Sequence, residues 1–571
     1  MNKIIVRRDQ KASPINAHPI LQRVYANRGI QSSHELERDL EHLLPYYTLL
    51  GINKAVEYLA NAICKQQNIL IVGDFDADGA TSSALAVRAL KSFGAKQVNY
   101  LVPNRFDFGY GLTPELVHAA KEFAPNLIVT VDNGISNHAG VACAQELGIQ
   151  VIITDHHLAA ETLPSADAIV NPNQPYDTFP SKCIAGVGVI FYVMLALRRH
   201  LNDQNWFVEQ EIPAPNMSRL LDLVALGTVA DVVSLDHNNR IMVHQGLRRI
   251  RAGQCIAGIS ALLKIANRNQ ANLVAADLGF AVAPRLNAAG RLDDMSLGIE
   301  CLLCDDFNQA LEMANVLNQL NDERRVIEQE MQTQALSVLK SLPLEKKYLP
   351  RGICLFDENW HQGVIGILAA RVKDRYHRPV IAFAPSTNDY ELKGSARSIS
   401  GLHIRDVLAE IAIRYPDLIT KFGGHAMAAG LTIPKADFER FANAFDEIVS
   451  SKLSEDALNQ TLFSDGELSK EELGLDIAEI LREAGPWGQM FPEPLFDGVF
   501  QIIDQHLVGG KHLKMNLLKD GNIIEAIAFN IDLNRWPNYR CQAVSIAYRL
   551  DINEFRGNKK LQLIVEYLIE A

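Results

Sequence analysis

Four acidic segments, each following an apolar run, constrain this chain more than any other feature of its sequence. The segments are ILIVGDFDADG at 69–79, LIVTVDNG at 127–134, VIITDHH at 151–157 and LVALGTVADVV at 223–233. Three of the runs have the length of a strand and are rich in Ile and Val, which is typical of buried strands in a parallel sheet. The carboxyl ends of such strands form the edge at which open α/β sheets bind ligands. The pattern therefore predicts a metal site at a sheet edge.

The first acidic segment carries three carboxylates at alternate positions, Asp74, Asp76 and Asp78. In an extended segment all three would point to one side, where like charges require cations to offset them. Each carboxylate also has an ordinary alternative, because an Asp that follows a strand is often a helix cap. The convergence of several such segments favours metal binding over capping.

The other segments add donors of two kinds. Asp132 and Asp231 supply carboxylates, and His156 supplies an imidazole nitrogen. This mixture suits Mn²⁺ or Mg²⁺ better than a closed structural zinc site. Two such ions a few ångströms apart are a standard arrangement for in-line attack on a phosphate ester. The chain contains neither a GxxxxGKS/T motif nor a full GxGxxG motif, which excludes the usual nucleotide-binding loops.

Composition limits the classes of protein to which the chain can belong. With 571 residues, 48% of them hydrophobic, it is long enough for about three to four globular domains. The net charge of −12 does not exclude a nucleic-acid partner, because bound cations offset clustered carboxylates. The lack of a Lys/Arg-rich tail does exclude nonspecific, tail-driven DNA binding. No apolar run reaches about 18 residues and the N-terminus lacks an apolar signal core, so we expect a cytoplasmic protein.

Strand and helix patterns alternate from about residue 69 to 195, which predicts a doubly wound parallel sheet. The first helix is expected just after Gly79, with Thr81 or Ser82 as its cap. Residues 307–341 contain neither Gly nor Pro and carry charges on one side, which predicts a long helix that bridges two lobes. A coiled-coil arm is the weaker alternative, because the apolar repeat is not sustained over enough heptads.

Two further domains are predicted after the long helix. Residues 350–450 hold strand candidates at 352–357 and 379–384 around a helical pattern, which predicts a second α/β lobe. From about residue 495 the pattern becomes all-β, with five short strand-like runs separated by the turns GGK, KDGN and RGNKK. Five short strands at the end of a modular chain predict a small barrel of the OB type.

The ordered motifs DFDADG, VDNG, DHH and GTVADVV resemble the DHH phosphoesterase superfamily, and the fuller match resembles its single-strand-specific exonucleases. The supporting segments are VPNRFDFGYGL at 102–112, AGVGVIFYVMLAL at 185–197, LGFAVAPRLNAAGRL at 278–292, WHQGVIGILAARV at 360–372, GSARS at 394–398 and FGGHAMAAGL at 422–431. The resemblance spans nearly the whole chain, and the ordered combination of motifs is highly specific.

The resemblance implies a chain of five parts around an α/β core. These are an N-terminal extension packing on the core at 1–50, a DHH catalytic phosphoesterase domain with a doubly wound parallel sheet at 51–300, a long connecting helix at 301–345, a second α/β, DHH-associated substrate-binding domain at 346–455, and an OB-type nucleic-acid-binding β-barrel at 456–571.

The resemblance also implies which residues bind metal. The implied ligands of two divalent ions, Mn²⁺ or Mg²⁺, are Asp76, Asp78, Asp132, His156 and Asp231. Asp74 is expected as an additional ligand or as a carboxylate that supports a ligand, and His157 as a contact of the scissile phosphate or a residue that orients a ligand. All seven residues are therefore expected to be catalytic.

Substrate binding needs cations that are not metal ions. Loops with Gly or Pro nearby carry Asn104, Arg105, Arg285 and Arg291, where guanidinium groups could reach phosphates. In the second lobe the candidates are Ser395, Arg397, Gly423, Gly424 and His425, which by the resemblance would hold a terminal phosphate. The structural alternatives are internal ion pairs for Arg285 and Arg291 and a simple turn for the two glycines.

The predicted barrel gives a physical reason for a preference for single strands, since OB barrels pair basic side chains with aromatic rings that stack on unpaired bases. The residues available for such a surface are Lys511, His512, Lys514, Phe529, Trp536 and Arg556. Phe529 could equally belong to the core.

Three functions are compatible with these features. The first, implied by the resemblance, is a processive single-stranded-DNA-specific 5′→3′ exonuclease of recombination and repair that releases 5′ mononucleotides. The second is a small-substrate DHH phosphodiesterase or oligoribonuclease, and the third is a non-catalytic DNA-binding scaffold. Chain length and the terminal barrel favour the first, whereas a full set of repelling carboxylates disfavours the third. The resemblance further implies a monomer with single-stranded DNA, single-strand-binding protein and a RecQ-type helicase as partners.

Overall fold

The computed structural model describes residues 3–8, 15–104, 111–341, 350–386, 388–424, 426–555 and 557–571. The chain forms two compact units. The larger consists of Arg8–Asn321 and Ser464–Ala571, and the smaller of Asp322–Phe463 together with the first residues up to Arg7. The boundary between the units lies within the helix Phe307–Ser341, which has the bounds that the sequence predicts.

The larger unit contains a parallel sheet of five strands. In spatial order the strands are Val98–Leu101, Ile69–Val72, Leu127–Val131, Gln150–Thr154 and Ala168–Val170. All neighbouring strands run parallel, and the order reverses on the two sides of Ile69–Val72. This is a doubly wound sheet, as predicted, and its switch point lies between Ile69–Val72 and Leu127–Val131.

Helices of the larger unit cover this sheet and extend its core. They are Pro19–Ala26, Ile52–Cys64, Ala77–Ser92, Pro114–Ala120, His138–Glu146, Gly186–Asp203, Trp206–Glu209, Leu221–Ala230, His237–Arg251, Ala257–Ile265, Ala275–Asp277, Ala283–Leu292, Ser296–Leu303 and Leu475–Ala484. Ala77–Ser92, Gly186–Asp203 and Leu221–Ala230 pack against one another and are buried on most sides, so they form the centre of the core.

The prediction for the start of the first sheet helix was wrong. The strand ends at Val72 and the helix begins at Ala77, so the intervening residues turn instead of staying extended. Asp76 is the cap, because its Oδ1 accepts the backbone N–H groups of Asp78 at 2.9 Å and Gly79 at 3.0 Å. A carboxylate that accepts two amides at a helix N-terminus outcompetes a later hydroxyl for the capping position.

The smaller unit contains a mixed sheet with α-helices packed against it. The strands, in spatial order, are Lys421–Gly424, Ala428–Pro434, Glu391–Arg397, Val380–Pro385 and Ile353–Phe356, and the helices are Ile365–Tyr376, Ile404–Arg414 and Phe438–Lys452. Only the pair Ile353–Phe356 and Val380–Pro385 is parallel among the pairs described in this sheet. A short strand Ile4–Arg7 pairs with Thr461–Ser464. The predicted second α/β lobe is thus present.

The C-terminal part of the larger unit is a closed barrel. Its strands are Phe496–Val508, His512–Lys519, Asn522–Ala528, Ala543–Phe555 and Asn558–Glu570. The third and fifth strands pair in parallel, and the other neighbours are antiparallel. The barrel has the five strands predicted for an OB fold.

A buried ion pair joins the N-terminal segment to the approach to this barrel. The side chains of Arg28 and Asp465 are 1% and 0% exposed. The Arg28 Nη1 and Nη2 groups donate to the two Asp465 oxygens at 3.1 Å each, and its Nε donates to the Pro492 carbonyl at 2.8 Å. Bidentate geometry and complete hydrogen bonding allow the two charges to remain buried.

Replacing Arg28 by Met should destabilise the larger unit strongly, because the Asp465 charge would stay buried with only the more distant Arg8, at 3.4 Å, as a charged partner. We expect a loss of about 3–5 kcal/mol in the free energy of unfolding, measured by urea denaturation. Arg28→Met combined with Asp465→Asn should recover part of that loss. The control Arg199→Met removes a pair with Asp203 whose side chains are 65% and 51% exposed, and should cost less than about 1 kcal/mol. Equal losses in the two single variants would contradict this account.

Candidate metal centre

The acidic segments converge at the switch point of the parallel sheet. Asp74, Asp76 and Asp78 follow the strand Ile69–Val72, and Asp132 follows the neighbouring strand Leu127–Val131. Both strands end at the same edge because they run parallel, which is why residues distant in sequence meet there.

Two further elements complete the cluster. His156 follows the strand Gln150–Thr154, and Asp231 caps the carboxyl end of the helix Leu221–Ala230. The His156 Nε2 atom lies 3.1 Å from Asp132 Oδ1 and 3.5 Å from Asp231 Oδ2. A single imidazole nitrogen therefore faces two carboxylates that come from different elements.

The seven predicted residues form three overlapping groups. Within each group, the donor atoms lie within 4.8 Å of one another. The groups are Asp74, Asp76 and Asp132; Asp78, His156 and Asp231; and Asp132, His156 and His157. Asp132 and His156 each belong to two groups. Such sharing is the arrangement expected where a residue bridges two neighbouring ions.

The electrostatics of the cluster favour bound cations. Burial and the neighbouring carboxylates raise the pKa of Asp132 and of Asp231 well above the usual value for Asp. Burial and the charge of Asp76 raise the pKa of Asp78 to about 7. Because burial and repulsion by neighbouring carboxylates disfavour the charged forms, these carboxylates hold protons more tightly than free ones, and bound divalent cations would offset that cost.

The donor set fits Mn²⁺ or Mg²⁺. Carboxylate oxygens dominate it and one or two imidazoles join them, whereas a structural zinc site would contain thiolates or more imidazoles. Two divalent cations are accordingly the cofactors of this centre, and Mn²⁺ and Mg²⁺ suit the same oxygen-rich ligands.

Asp78 links the cluster to the helix Gly186–Asp203. Its Oδ2 accepts the Gly186 N–H at 2.7 Å, and its Oδ1 accepts the Val187 N–H at 3.0 Å. The carboxylate, which is 1% exposed, thus lies at the positive end of that helix. These bonds fix its orientation, and they lower its pKa only in part against burial.

Asp155, the first residue of DHH, is a buried residue beside the cluster that the sequence pattern did not single out. It is 1% exposed and accepts from the backbone N–H groups of Ile135, His156 and His157. Its Oδ1 also lies 2.7 Å from His157 Nδ1. Burial alone would raise the pKa of Asp155, but His157 outweighs that effect and lowers it to about 2. Conversely, burial disfavours a charged His157, yet Asp155 raises its pKa to about 9. Its place directly after a buried strand was the available signal.

Two glycines that the sequence pattern did not single out allow the helices Gly186–Asp203 and Leu221–Ala230 to approach the cluster. A Cβ on Gly186 would lie 2.6 Å from the Asp132 Cβ, and one on Gly227 would lie 2.7 Å from Asp78 Oδ1. No side chain fits in either place without displacing a carboxylate. The motifs AGVGV and LGTVADVV contain these glycines, but only the packed structure shows what they contact.

Asn287 and Gly290 hold the turn that carries the first carboxylates. Asn287 Oδ1 accepts the Ala77 N–H at 2.8 Å, and a Cβ on Gly290 would lie 1.8 Å from the Phe75 carbonyl oxygen. The helix Ala283–Leu292 therefore supports the metal-binding turn from a distance of about two hundred residues in sequence.

Two residues of the cluster region have strained backbones. Asp132 has a φ of 62° and Val232, next to Asp231, has a φ of 60°. Non-glycine residues avoid this left-handed region, and a β-branched residue avoids it most strongly. Strain of this kind persists where the surrounding structure fixes it, as commonly happens at active sites.

The predicted phosphate-binding residues of the larger unit lie in different environments. Asn104 is half-buried, Arg291 is half-buried near the end of its helix, and Arg105 lies outside the described residues. Arg285 is 7% exposed and donates to the Ala281 carbonyl at 2.5 Å and to Asn318 Oδ1 at 3.0 Å. These contacts favour the structural alternative for Arg285.

In the smaller unit, Arg397 and Ser395 lie beside the N-terminus of the helix Ile365–Tyr376. Arg397 Nη1 donates to Ser395 Oγ at 3.1 Å, and a Cβ on Gly366 would meet both side chains at about 3 Å. A guanidinium, a hydroxyl and a helix N-terminus together form an environment suited to an anion.

The predicted double glycine lies on the same sheet. Gly423 pairs with Gly430, which in turn pairs with Ser395, so the three residues form a row across neighbouring strands. A Cβ on Gly423 would meet no atom within 4 Å, and Gly424 has a φ of 140°. His425 lies outside the described residues.

On the barrel, the structure separates exposed from buried aromatics. Trp536 is 4% exposed and belongs to the barrel core, so the prediction that it is available for bases was wrong. Phe529 is 52% exposed, with its ring 5.1 Å from that of His512. Lys511 is exposed, Lys514 pairs with Glu525 at 2.5 Å, and Arg556 lies outside the described residues.

In the described part of the chain, no helix is long and apolar enough to cross a membrane.

Three family models match the chain. "DHH family, N-terminal domain" matches residues 68–228, "DHHA1 domain" matches 347–451, and "RecJ OB domain" matches 464–567. The first match contains six of the seven cluster residues, and the third contains the barrel.

The similar proteins include a single-stranded-DNA-specific exonuclease RecJ from Salmonella typhimurium. It is 56% identical over 97% of this chain and 96% of its own length. Two solved structures of RecJ from Thermus thermophilus match over 97% of this chain. The complex with Mn²⁺ gives a TM-score of 0.79 at 29% identity over 76% of that chain, and the complex with Mg²⁺ gives 0.74 at 26% identity over 75%.

The identity, the full-length coverage and the order of the three domains agree with the geometry of the metal centre. The chain belongs to the RecJ family of the DHH phosphoesterases.

Proposed function

We propose that the protein is a single-stranded-DNA-specific 5′→3′ exonuclease that hydrolyses phosphodiester bonds and releases 5′ mononucleotides in DNA recombination and repair. The observation that carries this proposal is the convergence of seven carboxylate and imidazole side chains at the switch point of a chain that also contains an OB barrel. The RecJ relatives are named as single-stranded-DNA-specific exonucleases, which supports the same substrate here.

We assign the metal ligands to Asp76, Asp78, Asp132, His156 and Asp231, with Asp74 as an additional ligand. Two divalent cations held there would activate a water molecule and offset the negative charge that builds up on the phosphate. The protein contributes a rigid arrangement of its donors. Asp78 is oriented by two helix amides, and the strained Asp132 is held against Gly186.

His157 carries a positive charge toward the substrate in this proposal. Its Nδ1 lies 2.7 Å from Asp155 Oδ1, and this carboxylate raises the pKa of His157 against the effect of burial and so favours the charged ring. A protonated imidazole can donate a hydrogen bond to a phosphate oxygen and stabilise the charge of the transition state. Asp155 acts through His157 as a positioning residue.

Other parts of the chain would bind the DNA strand. Arg397, Ser395 and the row of glycines suit a terminal phosphate, whereas Phe529, His512 and Lys511 suit an unpaired base and the backbone beside it. Asn104, Arg105, Arg291 and His425 complete the proposed contacts. Arg285 would support the fold around them.

The cellular setting is proposed from the substrate. An enzyme that degrades single strands works where DNA is processed, so we place it in the cytoplasm of a bacterial cell, as a monomer. Single-strand-binding protein and a RecQ-type helicase would supply its substrate, because one covers single strands and the other separates duplexes.

End-labelled oligonucleotides test this function directly. With Mn²⁺ or Mg²⁺, a 5′-labelled single strand should yield labelled mononucleotide at the earliest times, and a 3′-labelled strand should release its label only when digestion has reached the 3′ end. Blunt duplex should resist, because only unpaired bases reach a stacking surface. Degradation from 3′ ends, equal cutting of blunt duplex, or a preference for dinucleotides would each defeat the proposal, and the last would favour the small-substrate phosphodiesterase.

Replacing Asp132 by Asn should separate catalysis from stability. We expect hydrolysis to fall by at least about 10²–10³-fold, because a ligand shared by two donor groups is lost. In EDTA the variant should melt no lower than the wild type, since one repelling charge is gone. The rise in melting temperature that Mn²⁺ produces in the wild type should shrink.

The control for this experiment is Asp305→Asn. Asp305 is 86% exposed and pairs with Arg88, so its loss should leave both the rate and the effect of Mn²⁺ near the wild-type values. Substantial hydrolysis by Asp132→Asn at saturating Mn²⁺ would show that Asp132 is not an essential metal ligand.

Replacing Phe529 by Ala should weaken binding of long single strands. We expect KM for such strands to rise at least about fivefold, with little change in kcat, because stacking on one base contributes about 1–3 kcal/mol. Ile523→Ala removes an apolar side chain that is 64% exposed on the same barrel and has no π-face, so it should leave KM unchanged. Equal KM values for the two variants would show that Phe529 stacks on no base.

A further inference from the structure

A second cluster of metal-binding side chains lies in the N-terminal segment of the larger unit. His34 belongs to the 3-10 helix Ser33–Leu36, Glu37 follows that helix, and His42 ends the 3-10 helix Leu40–His42. One nitrogen from each imidazole and one carboxylate oxygen lie within 4.8 Å of one another. The proposed exonuclease mechanism uses none of these residues.

The two imidazoles each direct their Nε2 atom toward the same oxygen of the Glu37 carboxylate. His42 Nε2 lies 2.7 Å from Glu37 Oε2, and His34 Nε2 lies 4.0 Å from it. The two rings are 5.4 Å apart and nearly perpendicular, at 78°. In a tetrahedral zinc site with bonds of about 2.0–2.1 Å, donor atoms are roughly 3.3 Å apart. Side-chain shifts on the order of 1 Å would therefore bring the three donors onto one ion.

The backbone beneath the cluster is held in place. The Glu37 carbonyl lies 2.9 Å from Nε2 of His237, the first residue of the helix His237–Arg251. Arg240 of that helix donates to the Glu35 carbonyl at 2.8 Å. The donors thus start from a fixed frame, which lowers the entropy cost of binding an ion.

Charge and access also suit a cation. His34, Glu37 and His42 are 69%, 42% and 25% exposed in their side chains, so an ion can enter and keep water in its remaining positions. A second carboxylate, Glu41, lies 3.6 Å from His42. The neighbouring Arg38 is engaged elsewhere, because its guanidinium donates to the carbonyls of Glu483 and Ala484.

We propose that His34, Glu37 and His42 bind a transition-metal ion of the Zn²⁺ type. Two imidazoles and one carboxylate are a known protein ligand set for open zinc sites, whereas Mg²⁺ prefers oxygen donors alone. The ion fastens the two 3-10 helices to each other. Because Glu37 also contacts His237 through its carbonyl group, the ion ties the N-terminal segment to the helix His237–Arg251.

Calorimetric titration of the full chain with ZnCl₂, in excess Mg²⁺, tests the proposal. The wild type should show a zinc-binding class that persists in Asp132→Asn, where the carboxylate cluster is impaired. In His42→Gln and in His34→Gln that class should weaken by at least about tenfold, because a direct ligand is lost. The matched control His200→Gln, which removes a surface imidazole that contacts Gln204, should bind zinc like the wild type.

Thermal unfolding gives a second readout that does not depend on hydrolysis. Zn²⁺ should raise the melting temperature of the wild type and of His200→Gln, and the rise should be lost in His42→Gln. Glu37→Gln keeps an acceptor for His42, and it should also lose the rise in melting temperature that Zn²⁺ produces. Because two different variants test the site, a folding defect in one of them would not decide the result. Zinc binding that is unchanged in the three cluster variants, or that disappears in Asp132→Asn, would overturn the proposal.

Discussion

Repulsion among buried carboxylates is the constraint on which the organisation of the larger unit depends. Asp78 and Asp132 are 1% and 2% exposed, and the pKa of each is raised by burial and by neighbouring negative charge. Such an arrangement is unfavourable unless cations occupy it, so the surrounding fold must hold the donors together before any ion arrives. The amides of Gly186 and Val187 and the imidazole of His156 supply part of that compensation.

The supporting contacts come from widely separated segments. Gly186 and Gly227 let two helices approach the carboxylates, and the helix Ala283–Leu292 holds the turn that precedes Ala77. Asp155 Oδ1 and His157 Nδ1 lie 2.7 Å apart beside them. Each contact needs a small residue, an amide or a carboxylate at one particular position, which explains why so many polar and glycine residues lie within an apolar core.

Much of the fold was predictable because hydrophobic periodicity reports it directly. The long helix Phe307–Ser341, the doubly wound sheet and the five barrel strands all follow from local patterns. Two predictions failed where a side chain's surroundings decide the outcome. The turn after Val72 forms because Asp76 caps a helix, and Trp536 is buried because the barrel closes over it. The capping contacts are local, but Thr81 and Ser82 are competing caps in the sequence, and the burial of Trp536 depends on barrel strands distant from it in sequence.

The amino-acid sequence alone established the kinds of metal-binding side chain, their order, and the apolar runs that bring them to one sheet edge, because these depend on residue type and on spacing. They could not establish that Asp155 contacts His157, that Arg285 is turned inward, or that His34, Glu37 and His42 lie close together. Those facts depend on distances between segments that touch only after the chain has packed, and packing fixes them through the shape and burial of every neighbour.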